Sequence, residues 1–350
     1  MKKRIICLVT ALMMISALFF GCADSGNNAN AVELPKPTGL YVTKSDNTVH
    51  WDAVENASGY KIKINGTEYE VKENYYTIEN ADYGKSYEIE VVAVGDGKNY
   101  SQSRISMTKY TIPALTTEKN ATYGLKYTPI KNDTEISVSK LDSVPIKDIK
   151  GKLIIPDTYM GKFVTEISDH AFIPDTKIVD AQLEPYNAFI TEIVFPVKLK
   201  KIGWGAFSEQ YNLESVVIPK DAEIEYFAFA RCEKLRTAIV NAKVIGAEAF
   251  YCCSGLSKVT LNGTLIIQDF AFSDILATTL IIPKSVIKVG KYIFSHSTEN
   301  KTIYYEGTQE KWSEIAEEQS KTYVYFYSEE KPSTEGMFWH YDSNRNPVKW

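Results

Sequence analysis

A two-residue marker, Ala-Phe, returns along the second half of the chain at a nearly constant spacing. Its copies are Ala171-Phe172, Ala206-Phe207, Ala228-Phe229, Ala249-Phe250 and Ala271-Phe272, followed by Ile293-Phe294. Successive Phe residues are 35, 22, 21, 22 and 22 positions apart, so the first interval equals one repeat plus 13 residues. Because each unit is too small to bury its own apolar face, such units must stack. The spacing predicts a solenoid within residues 151–305.

Other residue types recur at fixed positions relative to these Phe residues, and we call each such set a column. An aliphatic residue stands five positions before each Phe: Ile167, Ile202, Ile224, Ile245, Ile267 and Val289. A proline ends the neighbouring strand at Pro156, Pro196, Pro219 and Pro283. We expect each coil to hold a strand, a return segment and a turn with Ala-Phe, and the Phe rings to form an aromatic column in the core. The insertion in the first interval is placed at 173–186 and is a candidate binding loop.

The pattern I-G-x-x-A-F-x-x-C-x-x-L-x-x-V-x-I-P resembles the BspA-type leucine-rich repeats of bacterial surface proteins. Its clearest copies lie at 202–207 and 245–256. The segments at 123–127 and 153–156 resemble the lead-in of such arrays, and those at 304–312 and 339–342 resemble their tail. The resemblance implies an N-terminal cap and first repeat at 123–172, a leucine-rich-repeat solenoid at 173–305 and a C-terminal cap or tail at 306–350. It also implies adhesion or recognition at a cell surface, with no ligand fixed by the family.

Residues 34–113 show short strand-like runs with turn signals every 8 to 12 residues. In the run 60–64, Tyr60, Ile62 and Ile64 alternate with two lysines, which is typical of a half-buried strand. Asn65-Gly66 predicts a hairpin. With Trp51, these features resemble a fibronectin type III domain, which implies a β-sandwich that serves mainly as a spacer. The predicted fold is therefore mostly β: a sandwich followed by a solenoid, joined by a linker at 114–122.

The N-terminus sets the compartment. Residues 1–21 have a basic start and a short apolar run, as in a secretory signal peptide. The end of this run resembles a lipobox, although Phe20 is bulkier than usual there, and the resemblance implies lipidation of Cys22. Ordinary cleavage nearby is the alternative. Residues 22–33 then form a lipidated cysteine and flexible tether, so we expect an exported lipoprotein on the bacterial cell surface, held to the membrane by its lipid alone.

Charge and composition exclude several function classes. The chain has 39 Lys and Arg against 44 Asp and Glu, which disfavours nucleic acid as a partner. The sequence has no CxxC or HExxH spacing, and its four histidines lie far apart, so we predict neither a metal site nor a cofactor. Ser/His/acid and Cys/His arrangements are also absent, and we predict no catalytic residue.

Cys232 and Cys253 each stand three residues after a repeat Phe and so occupy the same position in adjacent coils. A disulfide or metal pair is one interpretation. The other, which we favour, is a column of buried free thiols acting as small apolar core residues.

Aligning the coil strands leaves one column that points outward: Ile154, Val194, Val217, Ile239, Thr260, Ile281 and Tyr304. We call these residues the stripe. A parallel column is mostly polar: Lys152, Glu192, Ser215, Thr237, Lys258, Thr279 and Thr302. A contiguous apolar surface often marks a protein interaction site, so the stripe is the candidate partner-binding site. The alternatives are that strand propensity alone explains it, or that the tail or first domain covers it.

The sequence therefore predicts a surface-displayed adhesion or recognition protein that binds a protein or glycan of a host or neighbouring cell. One alternative is a ligand-capturing lipoprotein of a nutrient uptake system, which a cleft with exposed Tyr and Trp would favour. The other is a structural envelope scaffold.

Overall fold

A computed structural model describes residues 31–43, 47–79, 81–174, 189–295, 301–319, 322–342 and 346–350. The predicted signal peptide, Cys22, most of the tether and almost all of the predicted insertion lie outside the described residues. The chain forms two compact units. Of the described residues, the first unit contains those up to Val42 and those in Val49–Tyr76 and Tyr87–Tyr110, and the second contains those in Thr43–Thr48, Thr77–Ser86 and Thr111–Trp350. The fold is mostly β, as predicted.

Nine short strands lie among the described residues before residue 114. They are β1 (Val32–Glu33), β2 (Tyr41–Thr43), β3 (Thr48–His50), β4 (Gly59–Ile64), β5 (Thr67–Val71), β6 (Tyr75–Thr77), β7 (Ser86–Val94), β8 (Tyr100–Ser101) and β9 (Ser106–Thr111). They form a four-stranded sheet in the order β5-β4-β7-β9, a three-stranded sheet in the order β2-β3-β6, and the parallel pair β1-β8.

The alternation predicted for residues 60–64 is confirmed in β4. Tyr60, Ile62 and Ile64 are buried, and the residues between them are partly exposed. The predicted hairpin is also confirmed, because Ile64 pairs with Thr67 across a two-residue turn. Asn65 and Gly66 have φ values of 48° and 86°, the left-handed conformation that such a turn requires.

A lead-in segment at 118–167 precedes the repeats in the second unit. Its elements are 3-10 helices at Glu118–Asn120 and Ile146–Asp148 and strands β10 (Leu125–Ile130), β11 (Glu135–Lys140), β12 (Lys150–Ile154), β13 (Thr158–Tyr159) and β14 (Lys162–Ile167). β10 and β11 are antiparallel, and β11 then pairs parallel with β14. Thr116, in the segment predicted as a linker, donates its backbone N–H to the buried Asp157 carboxylate at 2.7 Å.

The repeats contribute two kinds of strand. They are β15 (Phe189–Val194), β16 (Lys201–Ile202), β17 (Ser215–Ile218), β18 (Glu223–Ile224), β19 (Thr237–Val240), β20 (Val244–Ile245), β21 (Lys258–Leu261), β22 (Ile266–Ile267), β23 (Thr279–Ile282), β24 (Lys288–Val289) and β25 (Lys301–Tyr305). The longer strands form the parallel order β12-β15-β17-β19-β21, and the two-residue strands continue from β14 as β16-β18-β20-β22-β24.

The predicted columns form the core between these two sheets. The aliphatic column pairs in register from Ile167 to Val289, one residue per coil. The rings of Phe172, Phe207, Phe229, Phe250 and Phe272 stack in sequence, with centroids 5.1 to 5.4 Å apart and planes within 10° of parallel. All five rings are fully buried. The aromatic column predicted from the Ala-Phe marker is therefore confirmed.

The chain ends in a helix, α1 (Gln309–Ile315), and strands β26 (Thr322–Tyr327), β27 (Phe338–Tyr341) and β28 (Pro347–Lys349). Thr308 caps α1, since its hydroxyl accepts from the backbone N–H of Lys311 at 3.2 Å. The three strands extend a second sheet in the order β23-β25-β26-β27-β28.

Glu135 joins the lead-in segment to the first repeats and gives the fold a pH-dependent contact. Its carboxylate accepts from Thr165 at 2.6 Å and from Lys131 at 2.9 Å, and it also binds Lys200. The hydrogen bond from Lys200, helped by those from Thr165 and Lys131, lowers the pKa of Glu135 to about 2. This contribution is therefore fully present above the ordinary carboxyl pKa and is lost as the pH falls towards 2.

We expect Glu135→Gln to lower the free energy of unfolding at neutral pH by about 1 kcal/mol, a modest figure because both lysines are half exposed to solvent. The difference from the parent should shrink as the pH falls through the acid range, which denaturant melts at several pH values would show. Glu192→Gln is the control, since Glu192 pairs only with an exposed lysine. A pH-independent loss for Glu135→Gln would contradict the assignment.

Candidate recognition surface

The strand register brings the stripe residues together on one face of the repeats. Val217, Ile239 and Thr260 are direct partners across β17, β19 and β21. Ile154 pairs with Val194 in the same sheet. Ile281 and Tyr304 pair with each other across β23 and β25, in the sheet that also contains the tail strands.

Exposure follows the alternation of the strands in the middle of the stripe. Val217 is 52% exposed and Ile239 is 40% exposed, whereas their neighbours Val216 and Ala238 are buried. Ile154, Val194, Thr260 and Ile281 are half-buried. These residues therefore lie on the outer side of their strands, and Val217 and Ile239 are the most exposed apolar residues of the stripe.

Tyr304 departs from the prediction, because it is only 6% exposed. Its ring lies 5.3 Å from Trp339 and 5.8 Å from Tyr325. The sheet continues past β25 into β26 and β27, and the outward side chains of these tail strands pack over Tyr304. Part of the stripe is therefore covered by the C-terminal tail, and Tyr304 is not available to a partner in this conformation.

Polar residues border the stripe. Lys152 and Glu192 of the parallel column form an ion pair at 2.8 Å, with both side chains about half exposed. Ser215, Thr237 and Lys258 follow in register on the next strands. An apolar centre with a polar rim is the composition expected of a protein interaction surface.

The sheet breaks next to Thr260. Among the described strands, β21 and β23 share no ladder, although the coils that carry them remain bonded on either side of the break. Ala277 N–H donates to Leu256 O at 2.8 Å, and Ile287 N–H donates to Leu265 O at 2.8 Å.

The break has a sequence cause. Phe250 stands ten residues before Thr260, whereas Phe272 stands only nine before Ile281. A one-residue slip in a paired strand would turn its core residues outward. β23 instead keeps Leu280 and Ile282 buried and leaves the ladder.

A cleft of about 440 Å³ opens at this break. Its lining includes Thr260, Asn262, Ile281, Pro283, Glu306 and Tyr341. The hydroxyl of Tyr341 donates to Glu306 Oε1 at 2.7 Å, and Asn262 Nδ2 donates to Asn241 Oδ1 at 2.9 Å. Two stripe residues, Thr260 and Ile281, thus form part of a concave site that the sequence did not indicate.

Aromatic side chains also line the turns that carry Ala-Phe, a feature that the sequence analysis missed. Trp204 is 46% exposed and Tyr226 is 40% exposed, with ring centroids 6.2 Å apart. The row includes Phe227, Tyr251, Phe270 and Tyr292, all half-buried. Comparing the repeats at the two or three positions before each Phe would have revealed most of it.

The two aligned cysteines are free thiols, as favoured from the sequence. Cys232 Sγ donates to Phe207 O at 3.3 Å, and Cys253 Sγ donates to Phe229 O at 3.1 Å. Burial raises the pKa of the Cys253 thiol well above its usual value. Both cysteines are therefore buried core residues, and burial keeps the Cys253 thiol protonated.

Within the described residues, no group of three His, Cys, Asp or Glu side chains is arranged to hold a metal ion. None of the helices in the same residues has the length and hydropathy needed to span a bilayer.

Comparison with known proteins identifies the repeats. Residues 185–302 match, in six copies, the family model described as BspA type leucine rich repeat region. This segment, about a third of the chain, is thus similar to a BspA-type leucine-rich repeat region. It contains the stripe residues from Val194 to Ile281, whereas Ile154 and Tyr304 lie outside it.

Three solved structures share similarity with part of the chain. The pneumococcal vaccine antigen PcpA is 23% identical over 53% of this chain and 49% of its own, with a TM-score of 0.40. A leucine-rich repeat protein from Bacteroides ovatus is 22% identical over 59% of this chain and 70% of its own, with a TM-score of 0.30. The T. pallidum leucine rich repeat protein TpLRR is 16% identical over 58% of this chain and 84% of its own, with a TM-score of 0.34. The chain thus spans about half the length of the pneumococcal antigen. No curated protein matches the chain.

Proposed function

We propose that this protein is a non-catalytic recognition module displayed on the outside of a bacterial cell, where its leucine-rich-repeat solenoid binds a partner on another surface. The observation that carries the proposal is the pair Val217 and Ile239, two exposed apolar side chains in register on an open parallel sheet. Exposed apolar residues that are contiguous and bordered by polar ones favour protein binding.

The rest of the chain fits the role of display. A lipid on Cys22 and the tether to residue 33 would hold the protein at the membrane surface. The strands before residue 114 suit a fibronectin type III-like spacer, since Trp51 is buried and its ring meets that of Tyr60 edge-on at 5.2 Å. Such a spacer would carry the solenoid away from the membrane.

A binding screen tests the proposal. The chain from residue 23 onward, which keeps every described residue, is assayed against matrix proteins, mucins and whole bacterial cells. We expect Val217→Lys combined with Ile239→Lys to weaken binding of the captured partner at least tenfold, because two charges would have to be desolvated in the contact. The melting temperature should change little, since both side chains are exposed in the parent protein.

The matched control is Ile287→Lys combined with Leu276→Lys. Both residues are 59% exposed and lie outside the stripe, so this variant has the same change in charge and a similar loss of apolar surface. Loss of binding in the stripe variant alone supports the proposal. Equal binding by both variants and the parent would contradict it, as would unfolding of the stripe variant, since Ile239 would then be a core residue.

The nutrient-capture alternative is favoured by one observation, the cleft at the sheet break with Tyr341 in its wall. Uptake of a labelled ligand by cells, compared with adhesion of the same cells, distinguishes the two functions.

A further inference from the structure

We propose that the cleft between β21 and β23 binds a neutral sugar unit of a glycan. This inference rests on the proposed recognition function and specifies a ligand class for one part of the same sheet face.

The shape of the cleft suits a small ligand. Its volume of about 440 Å³ lies within the range of small-molecule sites in proteins. It results from the register of the repeats and is held open by the hydrogen bonds between the coils on either side of the break. The cavity is therefore formed before a ligand arrives, which lowers the entropy cost of binding.

The polar groups of the cleft can both accept a hydrogen bond from a sugar hydroxyl and donate one to it. The Glu306 carboxylate accepts hydrogen bonds only, the Asn262 amide donates and accepts, and the Thr260 hydroxyl can do either. Glu306 is positioned by the hydroxyl of Tyr341 at 2.7 Å. A polyhydroxyl ring is a ligand class that uses such a mixture of donors and acceptors in a small volume.

The charge of the cleft selects against anions. Glu306 is the one charged side chain among the described lining residues, and none of those residues is Lys, Arg or His. A phosphate or carboxylate ligand would meet a carboxylate with no lining cation to offset the repulsion. A neutral ligand avoids this penalty.

The apolar part of the lining matches the C–H face of a pyranose ring. Tyr341, Ile281 and Pro283 all line the cleft. The Tyr341 ring is supported by an edge-on contact with the fully buried Trp339, with ring centroids 4.8 Å apart. A supported aromatic ring offers a rigid apolar surface at little cost in side-chain entropy.

The test uses an array of neutral oligosaccharides containing glucose, galactose, mannose and N-acetylglucosamine, followed by titration of the best binder with the chain from residue 23. We expect saturable binding that Asn262→Ala, Thr260→Val and Glu306→Gln each weaken by about tenfold. Asn262 is exposed and Thr260→Val keeps the side-chain shape, so these two variants should remain folded. A melting curve for each variant verifies this.

Two controls separate this inference from the proposed function. The variant with Val217→Lys and Ile239→Lys should keep full sugar binding, and Asn262→Ala should keep the partner captured through the stripe. No neutral sugar bound at millimolar concentration, or binding unchanged in all three cleft variants, would overturn the inference while leaving the stripe proposal intact. Binding of a lysine-rich peptide or an amino sugar in place of neutral sugars would also overturn it, because Glu306 would then be a cation site.

Discussion

Replacing Phe229 by alanine is expected to lower the free energy of unfolding of the repeats by about 3–5 kcal/mol. Phe229 is fully buried and stacks between Phe207 and Phe250 at 5.4 and 5.3 Å. Its removal leaves a cavity between two coils and takes away both ring contacts. Since whole domains are stable by only about 5–15 kcal/mol, this single change should remove a large part of the stability. Urea unfolding followed by circular dichroism measures the difference.

Tyr226→Ala is the control for Phe229→Ala. Tyr226 lies on the same coil three residues earlier, but it is 40% exposed and sits on the outside of the turn. We expect it to cost less than about 1 kcal/mol. Similar losses for the two variants would show that the aromatic column contributes no more than a surface ring, and the stacked core would be the wrong explanation of the Ala-Phe marker.

Trp339→Ala should be about as damaging, with an expected loss of about 3–5 kcal/mol. Trp339 is fully buried, and its Nε1–H donates to the carbonyl of Tyr305 at 3.0 Å. Its ring also contacts Tyr304, Tyr327 and Tyr341 at 4.8 to 5.3 Å. The variant therefore leaves a cavity and a buried carbonyl without its donor.

Limited proteolysis gives a second readout for Trp339→Ala. With the anchor gone, we expect cleavage within the tail after residue 327 at protease concentrations that leave the parent intact. Trp204→Ala serves as the control, because Trp204 is 46% exposed and far from the tail in sequence. A tail that stays protected in Trp339→Ala would mean that other contacts hold it over Tyr304.

The core of the repeats could be read from the sequence because one signal recurs many times. A Phe every 21 to 22 residues and an aliphatic residue five positions earlier leave few structures other than stacked coils. The ladder from Ile167 to Val289 and the stacked rings both follow from that repetition.

The burial of Tyr304 by the tail could not be predicted in the same way. Its column position predicted exposure, and this was wrong because Trp339, which covers it, lies 35 residues further along the chain in a segment without repeats. The position of the tail depends on strand pairing beyond β25, and a single sequence contains no periodic signal for it. The break between β21 and β23 could be predicted only in part. The spacing after Phe272, one residue shorter than in the preceding repeat, is visible in the sequence. Its effect depends on whether the strand keeps its pairing or keeps its core residues buried.

The break in the sheet also leaves one interface of the repeat array with fewer strand-to-strand hydrogen bonds than its neighbours. In repeat proteins each coil is stabilised mainly by its neighbours, so the strength of each interface decides how far folding spreads along the array. At the break, the ladder of the longer strands is absent between described residues on either side, and the coils are joined by the ladder between β22 and β24, by the turns and by buried side chains. A force on the C-terminal end, such as a bound partner would exert on a tethered protein, would act on this weakened interface between β21 and β23. The last coil and the tail could then yield as one piece while the earlier coils stayed folded.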